Sequence, residues 1–449
     1  MTRPILALPA STRKWTSSDR ILPLHSHQPA TIMLKRLALA LVLVLLPFSV
    51  SAQEAAENDP EPITIGERHS IHSEVLGEER SYWIYLPPSY SDTTYATPHY
   101  PVLYLLDGNL HFHWASGVMQ QMSRFHIPEM IIVALPNTNR IRDLTPTHTM
   151  THWDDEEKEL SWLEDSGGAD SFLEFIGEEL FSEIEATFRT QPYRILVGHS
   201  LAGLFTLHAL LDAPEMFQAH VAIDPSLWWD DQLLVRRADN MISEGQQLDG
   251  SVYISLANEP DLGRVEEIRY PAGVISEPVQ AFAESLESVA SSSFRPKVEF
   301  FEAEVHDSVQ ILSLYHGLMH IFEGYSVHSL PDGPRADILE EPSRLKAHFE
   351  NISYRLGINL PPPDLVVQQI ALDFIEFLND EDSAIQVLRY SPSFADHEYR
   401  VFNYLGWAYT FGGEDDLARN AFEKALELNP ENEFARAQLE ALRDDAQEQ

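Results

Sequence analysis

Cysteine is absent from the 449 residues. That excludes a disulfide framework, a thiolate metal centre and a cysteine nucleophile. Basic residues are scarce: 30 Lys and Arg stand against 70 Asp and Glu, a net charge of −40. Such a surface repels phosphate backbones, and no basic patch interrupts it, so nucleic acid is not expected as a partner. Long apolar runs are scarce too. The run from Leu37 to about Phe48 falls short of the ~20 apolar residues that span a bilayer, so no stable membrane insertion is expected. What remains is ordinary globular composition, 44% hydrophobic and 22% charged. The length suits two domains or one large domain with an appendage.

That apolar run is framed by Met33-Leu34-Lys35-Arg36 before it and Val50-Ser51-Ala52 after it. A basic start, an apolar centre and small residues at the cleavage site make residues 33–52 a secretory signal, cut before Gln53. No cysteine follows the cut, so a bacterial lipoprotein is excluded. Residues 1–32 read as an over-extended start or leader. The mature chain would carry 24 basic against 69 acidic residues and would be exported, periplasmic or secreted. Residues 53–62, acidic and rich in Ala and Pro, read as a flexible lead-in.

Beyond them, strands alternate with helices. Tyr82–Leu86 reads as a strand stopped by Pro87-Pro88; Val102–Leu106 and Met130–Ala134 are continuous apolar runs. Runs without alternation fit strands buried on both faces, as in a parallel sheet covered by helices. Leu173, Ile176, Leu180, Ile184 and Phe188 recur at helical spacing. Strands at Arg194–Val197, Val221–Ile223, Val252–Leu256 and Val298–Phe301, with helices after Ser200 and near Val279–Val289, complete an α/β pattern. The catalytic domain is expected over residues 63–325 and a linker over 326–362.

The tail, 363–449, changes character. Phe402, Leu405, Gly406, Tyr409, Ala418, Phe422, Ala425 and Pro430 match the spacing of the tetratricopeptide repeat, two antiparallel helices per ~34 residues. A degenerate preceding repeat is read from about Pro363, with Ala384 and Leu388 in register and Gln368 and Ser391 out of it. Such a pair cannot bury a core alone. The helices are expected to pack on the catalytic domain or on each other, either as a plain appendage or as a groove for a peptide or protein partner.

The chemistry centres on Ile195-Leu196-Val197-Gly198-His199-Ser200-Leu201-Ala202-Gly203. An apolar strand, a tight turn of small residues with serine at its apex, and a helix lift a hydroxyl clear of a sheet. The amide of Leu201 would then face the developing oxyanion at a helix N-terminus. Ala202 stands where the usual pattern has glycine. A serine needs a base, and the base an orienting carboxylate, in the chain order Ser, Asp/Glu, His. The best base is His306, after the strand Val298–Phe301. Glu259 is the preferred acid, just past Val252–Leu256, with Asp261 the alternative. His199 reads as a packing or shaping residue, and His208 and His220 as core or surface histidines. Asp107-Gly108-Asn109 ends an early strand, so the second oxyanion amide is assigned to Asn109 or Leu110.

Several stretches together resemble the esterase branch of the α/β-hydrolases, which includes bacterial enterobactin-type siderophore esterases. They are Tyr100–Gly108, Asn139–Pro146, Gly198–Gly203, Ile223–Trp229 and His306–Val309. The resemblance covers about residues 63–325. It implies a doubly wound, mostly parallel α/β-hydrolase sheet, carrying here an all-α tetratricopeptide-like tail. It further implies Ser200 as nucleophile, His306 as base, an acid near Glu259 and a small-molecule ester as substrate, of siderophore, acyl-sugar or simpler kind. No metal or organic cofactor is needed for that chemistry.

Other groups have competing readings. His111 with His113, and His316 with His320, have spacings a metal could use but lack the Glu of a zinc-protease helix, so no metal is assigned. Arg140 and Arg142 follow a strand end and either steer an anionic substrate or pair with local acids. Trp228 and Trp229 either wall the substrate pocket or pack the core. The rival functions are an exported acyltransferase and an inactive, repeat-bearing binding protein.

Overall fold

The structure, a computed structural model, describes residues 62–94, 97–152, 155–258, 276–327 and 334–448. The leader, the secretory signal and nearly all of the lead-in, together with Glu259 and Asp261, lie outside the described residues.

Apolar, β-branched runs build one eight-stranded sheet. Its strands are β1 (Glu67–Ser73), β2 (Glu78–Tyr85), β3 (Tyr100–Leu105), β4 (Ile131–Ala134), β7 (Thr190–His199), β8 (Ala219–Ile223), β9 (Gly250–Ala257) and β10 (Phe294–Phe301). Two further strands, β5 (Thr151–His152) and β6 (Asp155–Glu159), pair separately. The order is β1-β2-β4-β3-β7-β8-β9-β10. Only β2 runs against its neighbours; every other pairing is parallel. All residues of β3, β4 and β8 are buried, the outcome expected of strands covered on both faces.

The helices between strands are α1 (Gly108–Met122), α2 (Arg140–Leu144), α3 (Ala169–Glu174), α4 (Phe181–Thr187), α5 (Leu201–Asp212), α6 (Trp229–Ser243), α7 (Ser276–Ser288) and α8 (Gln310–Ile321). A π turn, Phe175–Leu180, joins α3 to α4. One apolar cluster, including Phe172, Phe205, Leu210 and Trp229, fills one side of the sheet. A second, including Leu103, Met119, Leu314 and Leu318, fills the other and continues into the tail.

The stretch expected as a linker carries two helices, α9 (Pro334–Glu340) and α10 (Ser343–Leu356). Leu345, Phe349 and Ile352 are buried at helical spacing, which gives α10 an apolar face to pack with. Six more follow: α11 (Asp364–Asp373), α12 (Glu381–Leu388), α13 (Pro392–Ala395), α14 (Glu398–Gly412), α15 (Asp415–Leu428) and α16 (Glu433–Glu448). Helices α14 and α15 form a hairpin turned by Gly413, which sits in the left-handed region at φ 79°. A methyl at Gly406 would come 2.6 Å from the Phe422 ring, so only glycine lets these helices approach this closely. The tail's buried residues, among them Leu405, Phe422 and Leu439, belong to the same cluster as the sheet residues, so the tail packs both on itself and on the α/β core.

Candidate active site

The carboxyl ends of the parallel strands gather the chemistry. Between β7 and α5 the chain reverses at Ser200, φ 61° and ψ −119°. A side chain there is strained, and the surroundings hold it in place. The Ser200 N–H donates to the Ile223 carbonyl at 2.9 Å, and the Ser200 carbonyl accepts from Leu204 and Ser226. The small neighbours are necessary. A methyl on Gly198 would sit 2.1 Å from the Ala202 carbonyl oxygen, and one on Gly203 would press on Pro225 at 3.0 Å. Ala202 itself is fully buried, so its methyl is accommodated at the usual glycine position. Leu201 opens α5, where the first N–H groups have no partner one turn back.

His306 follows β10 in a tight turn. Ser308 closes it, its hydroxyl accepting from the Val305 N–H at 3.0 Å and donating to Glu304 at 2.6 Å. The His306 Nδ1–H donates to Asp224 Oδ2 at 2.6 Å. The carboxylate on this imidazole comes from the end of β8; Glu259 and Asp261, the acids expected after β9, lie outside the described residues. Asp224 is the first residue past β8, turned to φ 43°. Its N–H donates to Ser255, and its second carboxylate oxygen accepts from the Ala257 N–H at 2.9 Å. Asp224 is almost fully buried, while the His306 side chain remains about a third exposed at 38%. A carboxylate held by a main-chain N–H and an imidazole N–H is well compensated for its burial. Its position immediately after a buried strand was the same signal that favoured Glu259.

Ser226 is a second residue that pattern reading missed. Its buried hydroxyl lies 3.4 Å from Ser200 Oγ. A sequence offers no spacing signal for it, because the contact is made by the turn after β8 folding back under the elbow.

His199 sits between these parts. Its Nε2–H donates to the His306 carbonyl at 2.9 Å, and the two rings lie 4.4 Å apart. Burial, then the neighbouring His306 and His111, press its pKa down to about 3. His199 is therefore a neutral donor at ordinary pH. His111 packs edge-on to it at 6.0 Å and accepts from the Trp114 N–H. His208 lies between Asp170 and Asp212, and His220 is sealed in the core with its pKa lowered to about 3 by burial. His316 pairs with Glu299, and His320 donates to the Arg295 carbonyl.

The opposite wall is the turn after β3. Asp107 adopts φ 52° and ψ 39° ahead of α1. A methyl on Gly108 would strike the Leu135 nitrogen at 2.8 Å. Of the two amides assigned there, that of Leu110 is already used, donating to the Asp107 carbonyl at 2.9 Å. Asn109 is therefore the stronger candidate, and the Leu110 assignment is corrected.

Both arginines are occupied by acids. Arg140 grips the buried Asp107 with two bonds, 2.8 and 2.9 Å, and reaches the His199 carbonyl at 3.4 Å. Arg142 is bonded to Glu78 and Asp143, which also hold the buried Arg80. In the structure they pair with these acids, the second of the two expected readings. Trp229 likewise takes the second of its readings: it is buried, with its indole N–H donated to Thr147, so it is core. Trp228, beside it, is half-buried.

The serine elbow and the Asp224-bound imidazole stand at the strand ends of an α/β-hydrolase-like sheet, and the similarities to known esterases support an esterase activity. Residues 73–292 match the family model described as "Putative esterase". The chain is 29% identical over 273 residues to the ferri-bacillibactin esterase of Bacillus subtilis, covering 57% of this chain and 88% of that protein. It is 34% identical over 154 residues to the siderophore enterobactin esterase of Emericella nidulans, covering 31% of this chain and 51% of that one. Among solved structures it resembles an IroE-like serine hydrolase from Shewanella oneidensis. That likeness has a TM-score of 0.60 and 28% identity, over 72% of this chain and 98% of the other.

Proposed function

We propose that this chain is a serine carboxylic-ester hydrolase that acts on siderophore-type esters through an acyl-enzyme. Ser200 Oγ attacks the ester carbonyl while His306 takes its proton. Asp224 holds the imidazole with its Nδ1 protonated, so that Nε2 is free to accept. The amides of Leu201 and Asn109 receive the oxyanion. His306 then protonates the leaving alkoxide, and water, deprotonated by the same imidazole, releases the acid. Trp228 lines the substrate side.

One observation carries this assignment: an imidazole is oriented by a buried carboxylate at 2.6 Å, on the same strand ends as a serine elbow. The siderophore class is supported by the names of the two curated relatives. The N-terminal pattern supports export to the periplasm or medium, which sequencing of the mature N-terminus would test. The α14–α15 hairpin, with its close Gly406–Phe422 packing, supports a tetratricopeptide-like tail able to hold a peptide or protein partner.

The central test is a stopped-flow burst with p-nitrophenyl butyrate, together with mass-spectrometric product analysis on ferric triscatecholate and trihydroxamate esters. Wild type should show a burst and cleave at least one siderophore ester. Ser200→Ala should lose about 10⁴-fold or more. Equal turnover by Ser200→Ala would refute the nucleophile.

A further inference from the structure

His199 connects three parts of the site that the chain supplies from distant positions. Its carbonyl accepts from Arg140, the same guanidinium that clamps Asp107 at the oxyanion turn. Its ring N–H donates to the His306 carbonyl, and its ring lies against the His306 imidazole tilted by 40°, centroids 4.4 Å apart. Gln310 donates to the same His306 carbonyl at 3.1 Å. The residue is itself anchored as the last of β7, one position before the strained Ser200. His306, by contrast, sits on a turn with its side chain 38% exposed, and among the described residues its ring is hydrogen-bonded to Asp224 alone.

We propose that His199 is a positioning residue for the base. Its Nε2–H fixes the His306 main chain, and its tilted ring limits the swing of the His306 imidazole, so that Nδ1 stays on Asp224 and Nε2 is left free to accept. This rests on the serine-hydrolase assignment above. A neutral imidazole suits the task. A charged ring this close to His306 would oppose the imidazolium that forms when the base takes its proton. Burial keeps His199 neutral, and its single proton is committed to the His306 carbonyl. A base displaced by ~1 Å can cost about 100-fold in rate, which sets the size of the effect.

Three variants of the full chain separate this role from simple packing. His199→Phe keeps a ring face and loses the donor. His199→Gln keeps a donor of similar reach. His199→Asn keeps polarity but is too short to reach the His306 carbonyl. With p-nitrophenyl butyrate, His199→Phe and His199→Asn should lower kcat about 30- to 100-fold with KM unchanged within about twofold, and His199→Gln should recover most of the loss.

A second readout needs no turnover. An imidazole N–H held 2.6 Å from a carboxylate oxygen gives a low-field proton resonance, assigned by its loss in His306→Gln. It should vanish or broaden in His199→Phe and His199→Asn and persist in His199→Gln. Full kcat with an intact resonance in His199→Phe would overturn the role, as would an equal loss in all three variants. Should His199→Phe fail to fold, His199→Asn carries the same comparison. If wild type and Ser200→Ala turn over equally while the resonance responds as described, the esterase mechanism fails and the positioning of His306 by His199 stands.

Discussion

Replacing Asp224 with Asn tests the proposed acid most directly. The carboxylate has two partners with fixed roles. The Ala257 N–H can only donate, and His306 Nδ1 now donates too. An Asn side chain has one acceptor and one donor end. If its oxygen faces Ala257, its NH₂ faces Nδ1, and the ring must move its proton to Nε2 to accept. His306 then has no lone pair toward Ser200. If the amide is reversed, its NH₂ collides with the Ala257 N–H, two buried donors without an acceptor. The first arrangement keeps the main-chain bond, so the wrong tautomer dominates. The same swap in a well-studied serine protease costs about 10⁴-fold, and about 10³–10⁴-fold, or 4–5.5 kcal/mol of barrier, is expected here. The assay is kcat for p-nitrophenyl butyrate, with a thermal melt to show that the fold survives. Glu259→Gln serves as control and should stay within about twofold of wild type. If Asp224→Asn keeps activity within about tenfold while Glu259→Gln loses ~10³-fold, the acid lies after β9 and the reasoning is wrong.

Three further outcomes are expected. Glu78 is held down to about 2, chiefly by Arg142 with help from Arg80 and against its own burial. Its contribution to stability is therefore present above its ordinary pKa of 4.5 and is lost as pH falls toward about 2; urea midpoints should drop over that window in wild type and less steeply in Glu78→Gln. Asp143→Ala removes a buried partner of the buried Arg80 and should destabilise by about 3 kcal/mol in urea unfolding, with little change in kcat of the folded enzyme. Trp229→Ala should cost about 3–5 kcal/mol, whereas Trp228→Ala should leave the melt close to wild type and change KM, a contrast that fails if both act on stability alone.

Much of the sheet was legible because β3, β4, β8 and β9 are short apolar runs, and a strand covered on both faces can be little else. The helix through Phe172–Phe188 was legible from its spacing, although its π turn at Phe175–Leu180 was not, since one extra residue per turn leaves the apolar rhythm almost intact. β1 was missed: Glu-Arg-His-Ser-Ile-His-Ser is polar because it is an edge strand facing solvent. At the site, Ser200 and His306 stood out because each follows a strand end with a characteristic residue type. Asp224 and Glu259 stood in equivalent places, and only the three-dimensional turn after β8, with Ala257 supplying the second hydrogen bond, separates them. For Arg140 and Arg142 the choice between substrate and acids stayed open in sequence because, Asp143 apart, their partners Asp107 and Glu78 lie 33 and 64 residues away.

The placement of Asp224 has an evolutionary consequence. The elbow and the acid are stitched together by main-chain bonds between adjacent strands, Ser200 to Ile223, Ser226 to Ser200 and Asp224 to Ser255. With Asp224 as the proposed acid, the crossover that leaves β9 need not supply one. Such a crossover is free to diverge, to lengthen or to be exchanged between relatives, and new substrate preferences can be grafted there without dismantling the proton path.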